Sequence, residues 1–199
     1  MRWSVVIAVK SGGLAKSRLR AASRVDDEHA ALVAAIRADT LAAVRAAERV
    51  SRLIIVSDAS GPGIDVVQSS PGLNGAYRDG AARARQCDAS QAIALLVGDL
   101  PALRARDLDA ALAAASGLAR GFVPDLDGTG STLVTSAAGL DVAPAFGVGS
   151  AARHAADMSR LPADERLRCD VDSPADLAYA YALGAGPATR SRRAHVRLG

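Results

Sequence analysis

The chain has 199 residues and a net charge of +3; 50% of its residues are apolar but only 3% are aromatic. This length suits one domain, and the small aromatic share predicts a core of Ala, Val, Leu and Ile. Two cysteines without a CxxC pair and three histidines argue against a disulfide framework or a zinc site. No apolar run is long enough for a membrane span, and residues 4–9 are too short for a signal peptide core, so we expect a soluble cytoplasmic protein.

The positive charge is concentrated near the C-terminus. Residues 184–199 contain four arginines and no acidic residue, and without them the net charge is −1. The basic balance is therefore poor support for a nucleic-acid partner, and neither a nucleic-acid nor a membrane partner is expected. We predict one domain over residues 1–186 and a basic, poorly ordered tail over residues 187–199. A loose electrostatic contact is the alternative interpretation of this tail.

Short apolar runs alternate with segments of helical periodicity. Strands are predicted at residues 4–9, 52–57, 92–98, 121–125, 131–136 and 166–170, with 64–69 as a further candidate. Helices are predicted at residues 26–47, 75–85, 106–116 and 149–158, and in a last segment that begins at Pro174 and ends at Gly184. Ser173 and Asp176 supply that last helix with a capping box. The alternation predicts an α/β domain with a mostly parallel sheet covered on both faces.

Charged residues gather where the predicted strands end. In an open α/β sheet, ligands bind outside the carboxyl ends of the strands. Carboxylates follow several strands there, at Asp99, Asp125, Asp127, Asp170 and Asp172. The loop after the first strand supplies cations and glycines, at Lys10, Gly12, Gly13, Lys16 and Arg18. This edge suits a polyphosphate with a divalent cation, because carboxylates hold Mg²⁺ while amines and backbone N–H groups hold phosphate oxygens.

Most of these residues also have a purely structural interpretation. Asp99 and Asp172 could be helix N-caps, and Lys16 and Arg18 could be surface charges. Asp170 is harder to explain in this way. Residues i and i+2 of an extended segment point to the same side, so Asp170 and Asp172 would repel each other unless a cation relieved them.

Two stretches of the sequence partly match nucleotide-binding motifs. A Walker A loop is absent, because Ala15 precedes Lys16 where that motif requires glycine. Residues 147–152 imitate a dinucleotide fingerprint, but too little chain follows for the remaining βαβ units. We interpret this stretch instead as an anion nest at a helix N-terminus. His154, in the same helix, could assist a ligand, but a partly exposed helical position is the expectation.

Six segments in order along the chain resemble one enzyme family. They read VIAVKSGGLAKSRL, PGLNGA, LLVGDLPALRARDL, GTGSTLV, FGVGSAARH and LRCDVDSPADL, and the resemblance extends from about residue 4 to about residue 189. Together they resemble the phosphoenolpyruvate / 2-phospho-L-lactate guanylyltransferases of coenzyme F420 biosynthesis. The resemblance implies a three-layer αβα nucleotidyltransferase fold of the nucleotide-diphospho-sugar transferase type. It also implies Mg²⁺-dependent transfer of GMP from GTP to a phosphorylated three-carbon acid, with release of pyrophosphate.

The matched motifs imply roles for individual residues. The Mg²⁺ ligands would be Asp99, Asp170 and Asp172. The phospho-acid would contact Ser131, where the family often has Thr, and also Gly147 and Ser150. Nucleotide contacts would come from Lys10, Gly12, Gly13, Lys16, Asn74 and Gly98. The catalytic cations that stabilise charge on the triphosphate would be Lys10, Lys16 and Arg18.

The sequence leaves the acceptor open among phosphoenolpyruvate, 2-phospho-L-lactate and 3-phospho-D-glycerate, because these acids differ at only a few atoms. Two alternative functions remain. One is a related nucleotidyltransferase for a molybdopterin or sugar-phosphate acceptor, and the other is a non-catalytic nucleotide-binding module. The oligomeric state is also left open.

Overall fold

A computed structural model describes residues 1–10, 19 and 26–195; Gly12, Gly13, Lys16 and Arg18 lie outside these residues. The strands of its sheet are β1 (Trp3–Val9), β2 (Val50–Ser57), β3 (Val66–Val67), β4 (Ala92–Leu96), β5 (Arg120–Pro124), β6 (Ser131–Ser136) and β7 (Ser159–Arg160). The helices are α1 (Asp26–Ala46), α2 (Leu73–Cys87), α3 (Ala105–Ala115), α4 (Ser150–Ala155), α5 (Glu165–Arg168), α6 (Pro174–Ala182) and α7 (Pro187–Arg190). None of the described helices is long and apolar enough to cross a membrane.

The sheet is mostly parallel, as predicted. Its strand order is β3-β2-β1-β4-β6-β5-β7. β1 runs parallel to β2 and β4, β2 to β3, and β5 to β7, whereas β6 is antiparallel to both of its neighbours. Because β6 runs the other way, its first residue lies at the edge of the sheet where β4 ends.

Helices cover both faces of the sheet, and side chains that alternate along β1 pack against the helices of both layers. Val5 and Ile7 pack on one face in a buried cluster that includes residues of α1 and α3. Val6 points to the opposite face and packs in a second cluster with α2. There α2 approaches closely, since a Cβ on Gly80 would lie 2.3 Å from Val6 Cγ1. The result is a three-layer αβα arrangement.

One predicted strand is wrong. Residues 166–170 were expected to be the last strand, but the chain forms α5 there, and Asp164 caps it by accepting the Arg166 N–H. The final strand, β7, comes earlier. The run is short enough to suit either structure, and its apolar pattern alone could not decide between them. Downstream, the predicted capping box of α6 is present: Ser173 is the N-cap and Asp176 the N3 residue.

The first part of the predicted tail, residues 187–195, has regular structure, and whether the tail as a whole is poorly ordered stays a prediction. These residues form α7 and a 3₁₀ turn. The buried carboxylate of Asp39 on α1 accepts the N–H groups of Ala188 at 3.0 Å and Thr189 at 2.7 Å. Gly186 allows the approach, because a Cβ there would lie 2.3 Å from Asp39 Cγ. A carboxylate from elsewhere in the fold therefore satisfies N–H groups at the start of α7.

Candidate active site

The carboxylate side of the site consists of Asp99, Asp170 and Asp172. Asp99 follows β4, and its carbonyl oxygen accepts the N–H of Val171 at 3.1 Å. The neighbouring Leu100 N–H donates to Thr40 Oγ1 of α1 at 2.9 Å, which holds this turn in place. Although residues 169–172 are not a strand, the hydrogen bond of Val171 brings the segment that carries Asp170 and Asp172 against Asp99.

Negative charge is concentrated around these aspartates. Asp99 Oδ1 is buried. Burial first, and then four neighbouring carboxylates, raise the pKa of the Cys169 thiol to about 12. Those carboxylates belong to Asp170, Asp176, Asp99 and Glu165. Burial and the charge of Asp99 likewise raise the pKa of Tyr77, whose hydroxyl donates to Leu96 O at 2.9 Å. The local field therefore favours a cation.

The three aspartates do not form a ready-made ligand cage. Within the part of the chain that the structure describes, no group of three or more His, Cys, Asp or Glu side chains is placed to hold a metal ion. The helix-cap alternative for Asp172 is wrong, because Ser173 is the N-cap of α6. The Asp172 N–H instead donates to Asp176 Oδ2 at 3.1 Å, and the Asp172 side chain is exposed.

The hydroxyl side of the site consists of Ser131, Ser150 and His154. Ser131 begins β6, and the Val97 N–H donates to the O of the next residue, Thr132, at 3.0 Å, so Ser131 lies at the edge where β4 ends. Ser150 Oγ donates to Ser131 Oγ at 3.3 Å, and His154 Nδ1 lies 2.9 Å from Ser131 Oγ. All three side chains are buried. This side offers hydroxyl groups, which can donate to an anionic oxygen.

An aspartate holds the turn that leads to Ser131. The Asp125 carboxylate accepts the N–H of Thr129 at 2.9 Å and of Gly130 at 2.7 Å. A Cβ on Gly130 would lie 2.3 Å from Asp125 Oδ2, so the turn requires glycine at this position. Asp125 was one of the carboxylates predicted at this edge, and its hydrogen bonds give it a structural role.

The loop before α4 is held by side chains from two helices. Asn74 donates to Phe146 O at 3.1 Å and accepts the Phe146 N–H at 2.9 Å. Arg153 donates to Ala145 O and to Val148 O, at 2.8 and 2.7 Å. Asn74 was predicted to contact nucleotide; this contact stays a prediction, while the structure uses its amide to hold the residue before Gly147.

Two N–H groups of the anion nest predicted at residues 147–152 already donate to carbonyl groups of the protein, so the prediction is wrong for these two groups. The Ser150 N–H donates to Gly147 O at 3.0 Å, and the Ala151 N–H donates to Thr129 O at 3.1 Å. Gly147 and Gly149 have φ of +117° and +71°, in the region that favours glycine. The turn therefore presents the Ser150 hydroxyl rather than these two N–H groups.

The predicted nucleotide residues are only partly described. The carbonyl of Lys10, at the end of β1, accepts Arg37 Nη2 at 2.9 Å, and its side chain is exposed. Burial lowers the pKa of Arg37, and the charge of Asp58 opposes that shift. Gly98 lies between β4 and Asp99, where a Cβ would lie 3.1 Å from Ile7 Cγ2. Lys10 and Gly98 thus flank the edge of the sheet beside the carboxylate side.

His154 is the main residue whose position sequence reasoning misjudged. It was expected to be partly exposed, but it is 1% exposed and lies at the centre of the hydroxyl side. One signal was available. Ser150 and His154 are four residues apart in α4, so they share one face of the helix.

The chain is similar along almost its whole length to curated guanylyltransferases. It is 45% identical over 202 residues to the phosphoenolpyruvate guanylyltransferase of Geodermatophilus obscurus, a match that covers 94% of this chain and 92% of that protein. It is 42% identical over 208 residues to the phosphoenolpyruvate guanylyltransferase of Thermomonospora curvata, covering 98% of this chain and 90% of that protein. No protein-family model matches the chain.

The chain is similar in fold to solved structures of low sequence identity. A protein of Desulfovibrio desulfuricans G20 described as a nucleotide-diphospho-sugar transferase has a TM-score of 0.71 at 18% identity, covering 98% of this chain and 94% of that chain. A 4-diphosphocytidyl-2C-methyl-D-erythritol synthase has a TM-score of 0.59 at 14% identity, covering 92% and 99%. These similarities confirm the predicted fold.

Proposed function

The chain belongs to the phosphoenolpyruvate guanylyltransferase family, and we propose that it transfers the GMP unit of GTP to the phosphate of phosphoenolpyruvate. The structural observation that carries this proposal is the contact of Ser131, Ser150 and His154 at the edge of the sheet that also bears Asp99. Hydroxyl donors suit the phosphate of the acceptor, and carboxylates suit the cation that accompanies a triphosphate. The product would serve coenzyme F420 biosynthesis, as the family resemblance implies.

The proposed reaction is an in-line displacement. A phosphate oxygen of phosphoenolpyruvate attacks the α-phosphorus of GTP. The new O–P bond forms as the bond from that phosphorus to the α–β bridging oxygen breaks, and the electron pair leaves with pyrophosphate. The attacking oxygen is already anionic near neutral pH, so no side chain has to remove a proton. The task of the protein is to position two anions and offset their charge.

On the hydroxyl side, Ser131 and Ser150 bind the phosphate of the acceptor. Their hydroxyls lie 3.3 Å apart, close enough for both to contact one phosphate group. Gly147 sits in the loop that Asn74 and Arg153 hold, beside this pair. A contact of this kind orients the attacking oxygen, which lowers the entropy cost of bringing the two substrates together.

On the carboxylate side, Asp99, Asp170 and Asp172 are the candidate ligands of Mg²⁺. The donor chemistry fits, because Mg²⁺ takes oxygen ligands and is usually held by one or two carboxylates together with substrate phosphates. The negative field around Cys169 supports a cation here. When bound, Mg²⁺ would supply charge neutralisation for the triphosphate. Asp99 and Asp170 are the stronger candidates for Mg²⁺ ligands, since Asp172 is the most exposed of the three.

The remaining contacts lie on the side of the nucleotide. Lys10, Lys16 and Arg18 are the proposed cations for the triphosphate, and Lys16 and Arg18 lie outside the described residues. Lys10 is supported by its position at the end of β1, next to the strand that leads to Asp99. Cations placed there would stabilise the charge that develops on the leaving pyrophosphate.

The function is tested by measuring pyrophosphate release. The protein is incubated with GTP, Mg²⁺ and, separately, phosphoenolpyruvate, 2-phospho-L-lactate, 3-phospho-D-glycerate or a sugar phosphate. We expect pyrophosphate and a GMP–phosphoenolpyruvate product in the first arm, and loss of both when EDTA removes the divalent cation. Release with the sugar phosphate alone would contradict the proposal. Binding of GTP without turnover on any acceptor would favour a non-catalytic module.

A further inference from the structure

We propose that His154 is a positioning residue: it turns the hydroxyl proton of the Ser131–Ser150 pair outward, toward the phosphate of the acceptor. The inference deepens the proposed function and rests on it, since that function places the phosphate at Ser131 and Ser150. His154 does not itself contact substrate in this proposal. It acts through Ser131, whose Oγ lies 2.9 Å from His154 Nδ1.

The backbone determines which nitrogen of His154 carries the proton. The Ala145 N–H donates to His154 Nε2 at 3.1 Å. A nitrogen that accepts a hydrogen bond has no proton of its own, so the neutral ring carries its proton on Nδ1. The Nδ1–H then donates to Ser131 Oγ. A loop amide thus selects the tautomer, and the tautomer makes Ser131 an acceptor toward the histidine.

A count of protons gives the consequence for Ser131 and Ser150. The pair has two hydroxyl protons, and at most one of them lies between the two oxygens. Because Nδ1 is already protonated, Ser131 cannot donate to His154. At least one hydroxyl proton must therefore point away from the cluster. When Ser150 donates to Ser131, that proton belongs to Ser131, whose oxygen then accepts from both neighbours; when Ser131 donates to Ser150, it belongs to Ser150.

This arrangement suits a fully deprotonated phosphate. Such a phosphate offers only acceptor oxygens, and a hydroxyl that can only donate complements it. With the other tautomer, Ser131 could donate to Nδ1, and the outward proton would no longer be required. The two consecutive hydrogen bonds, from Ala145 to His154 and from His154 to Ser131, therefore orient the hydroxyl proton before the acceptor binds. Connected hydrogen bonds of this kind also polarise one another.

Packing keeps the ring in this orientation. His154 is 1% exposed, and its ring lies edge-on to Phe146, with centroids 5.3 Å apart. Turning the ring over would put carbon atoms where both nitrogens now make hydrogen bonds. Burial and the charge of Arg153 lower the pKa of His154, against an opposing effect of Asp157, which agrees with a neutral ring.

Two substitutions separate the two hydrogen bonds of the ring. In His154→Gln, the amide can reach the position of Nε2 and accept from Ala145, but the donor to Ser131 is lost. In His154→Asn, the amide lies near the position of Nδ1 and can still donate to Ser131. We expect KM for phosphoenolpyruvate to rise about ten-fold in His154→Gln and about two-fold in His154→Asn, with KM for GTP unchanged in both.

A double-mutant cycle tests whether His154 acts through Ser131. In a Ser131→Ala background, His154→Gln should change KM for phosphoenolpyruvate by less than about two-fold, because the hydroxyl that it orients is gone. A further ten-fold rise in that background would overturn the proposal. So would equal effects of the Gln and Asn variants, or a parallel rise in KM for GTP.

A direct measurement of the tautomer needs no turnover. The ¹⁵N chemical shifts of the imidazole nitrogens distinguish Nδ1–H from Nε2–H, and the chain has only three histidines. Comparison with His154→Gln identifies the signals of His154. We expect the neutral Nδ1–H form near neutral pH; the Nε2–H form or an imidazolium would overturn the inference. Failure of the wild type to use phosphoenolpyruvate, with the Nδ1–H form observed, would contradict the proposed function but leave the tautomer in place.

Discussion

The two sides of the site are held together in different ways. On the hydroxyl side, direct side-chain hydrogen bonds join Ser131, Ser150 and His154. On the carboxylate side, a backbone hydrogen bond from the Val171 N–H to Asp99 O brings the aspartates near one another. The difference follows from charge. Neutral donors and acceptors can satisfy one another in the folded chain, so they can be packed and buried before a ligand arrives. Carboxylates in contact repel unless a cation lies between them.

The two sides therefore differ in what completes them. The hydroxyl side is preorganised by the fold, through the Asp125 turn and the contacts of Asn74 and Arg153. In the proposed function, the carboxylate side is completed by a cation and by the phosphates of GTP. Substitutions on the carboxylate side should act mainly on kcat, and those on the hydroxyl side mainly on KM for the acceptor.

The largest expected effect is on the carboxylate side. Asp99→Asn and Asp170→Asn should each lower kcat about 10²-fold or more, because an amide supplies less charge to the metal and triphosphate. Steady-state pyrophosphate release measures the loss. Asp141→Asn is the control, since that side chain is 94% exposed beside Arg85. Wild-type kcat in either variant would remove that residue from the Mg²⁺ site, and an equal loss in Asp172→Asn would make all three residues ligands.

Removal of the Ser131 hydroxyl should have the next largest effect. Ser131→Ala loses a hydrogen bond to a charged phosphate, which is worth about 1.5–3 kcal/mol. We expect kcat/KM for phosphoenolpyruvate to fall about ten- to a hundred-fold, with KM for GTP little changed. Ser136→Ala, at the other end of β6, provides a matched control. A rise in KM for GTP alone would place Ser131 on the nucleotide side instead.

Asn74 tests which side of the site its amide serves. Asn74→Ala removes two hydrogen bonds to Phe146, so the loop before α4 should become less well held. We expect KM for phosphoenolpyruvate to rise about five-fold and the free energy of unfolding to fall by about 1–2 kcal/mol. If KM for GTP rises while KM for the acceptor and the stability stay unchanged, the predicted nucleotide contact is the better assignment.

The smallest effect on turnover is expected at the start of the C-terminal segment, where residues 186–189 contact Pro101 and Asp39. Its Gly186 N–H donates to Pro101 O at 2.7 Å, two residues after Asp99. In Gly186→Ala the new Cβ would meet Asp39, so the free energy of unfolding should fall by about 1–3 kcal/mol. We expect kcat to change by about two-fold or less. Gly117→Ala, where a Cβ meets open space, is the control in denaturant unfolding. A large loss of kcat would mean that this segment supports the carboxylate side directly.

Much of the fold was predictable because local sequence patterns, such as apolar runs and helix-capping residues, indicate its strands and helices. The buried apolar runs of β1 and β4 and the Ser173–Asp176 capping box were all recognised from neighbouring residues. α5 was not, because four residues are too few to show a period. The contact of α7 with α1 was not predicted either, since the Asp39 carboxylate that accepts the Thr189 N–H is about 150 residues away in sequence.

The sequence by itself determined the layered α/β fold, the family, and the edge of the sheet at which Asp99 follows β4; the family resemblance added Ser131 and Ser150 as candidates. Periodicity, capping residues and motif order are local properties, so they can be read without coordinates. Only the tertiary structure decided what His154 and Asn74 do. Their roles depend on Ala145, Ser131 and Phe146, whose backbone and hydroxyl groups offer hydrogen bonds that no pattern of residue types records. The choice of one imidazole tautomer is a property of those contacts and arises only when the chain is folded.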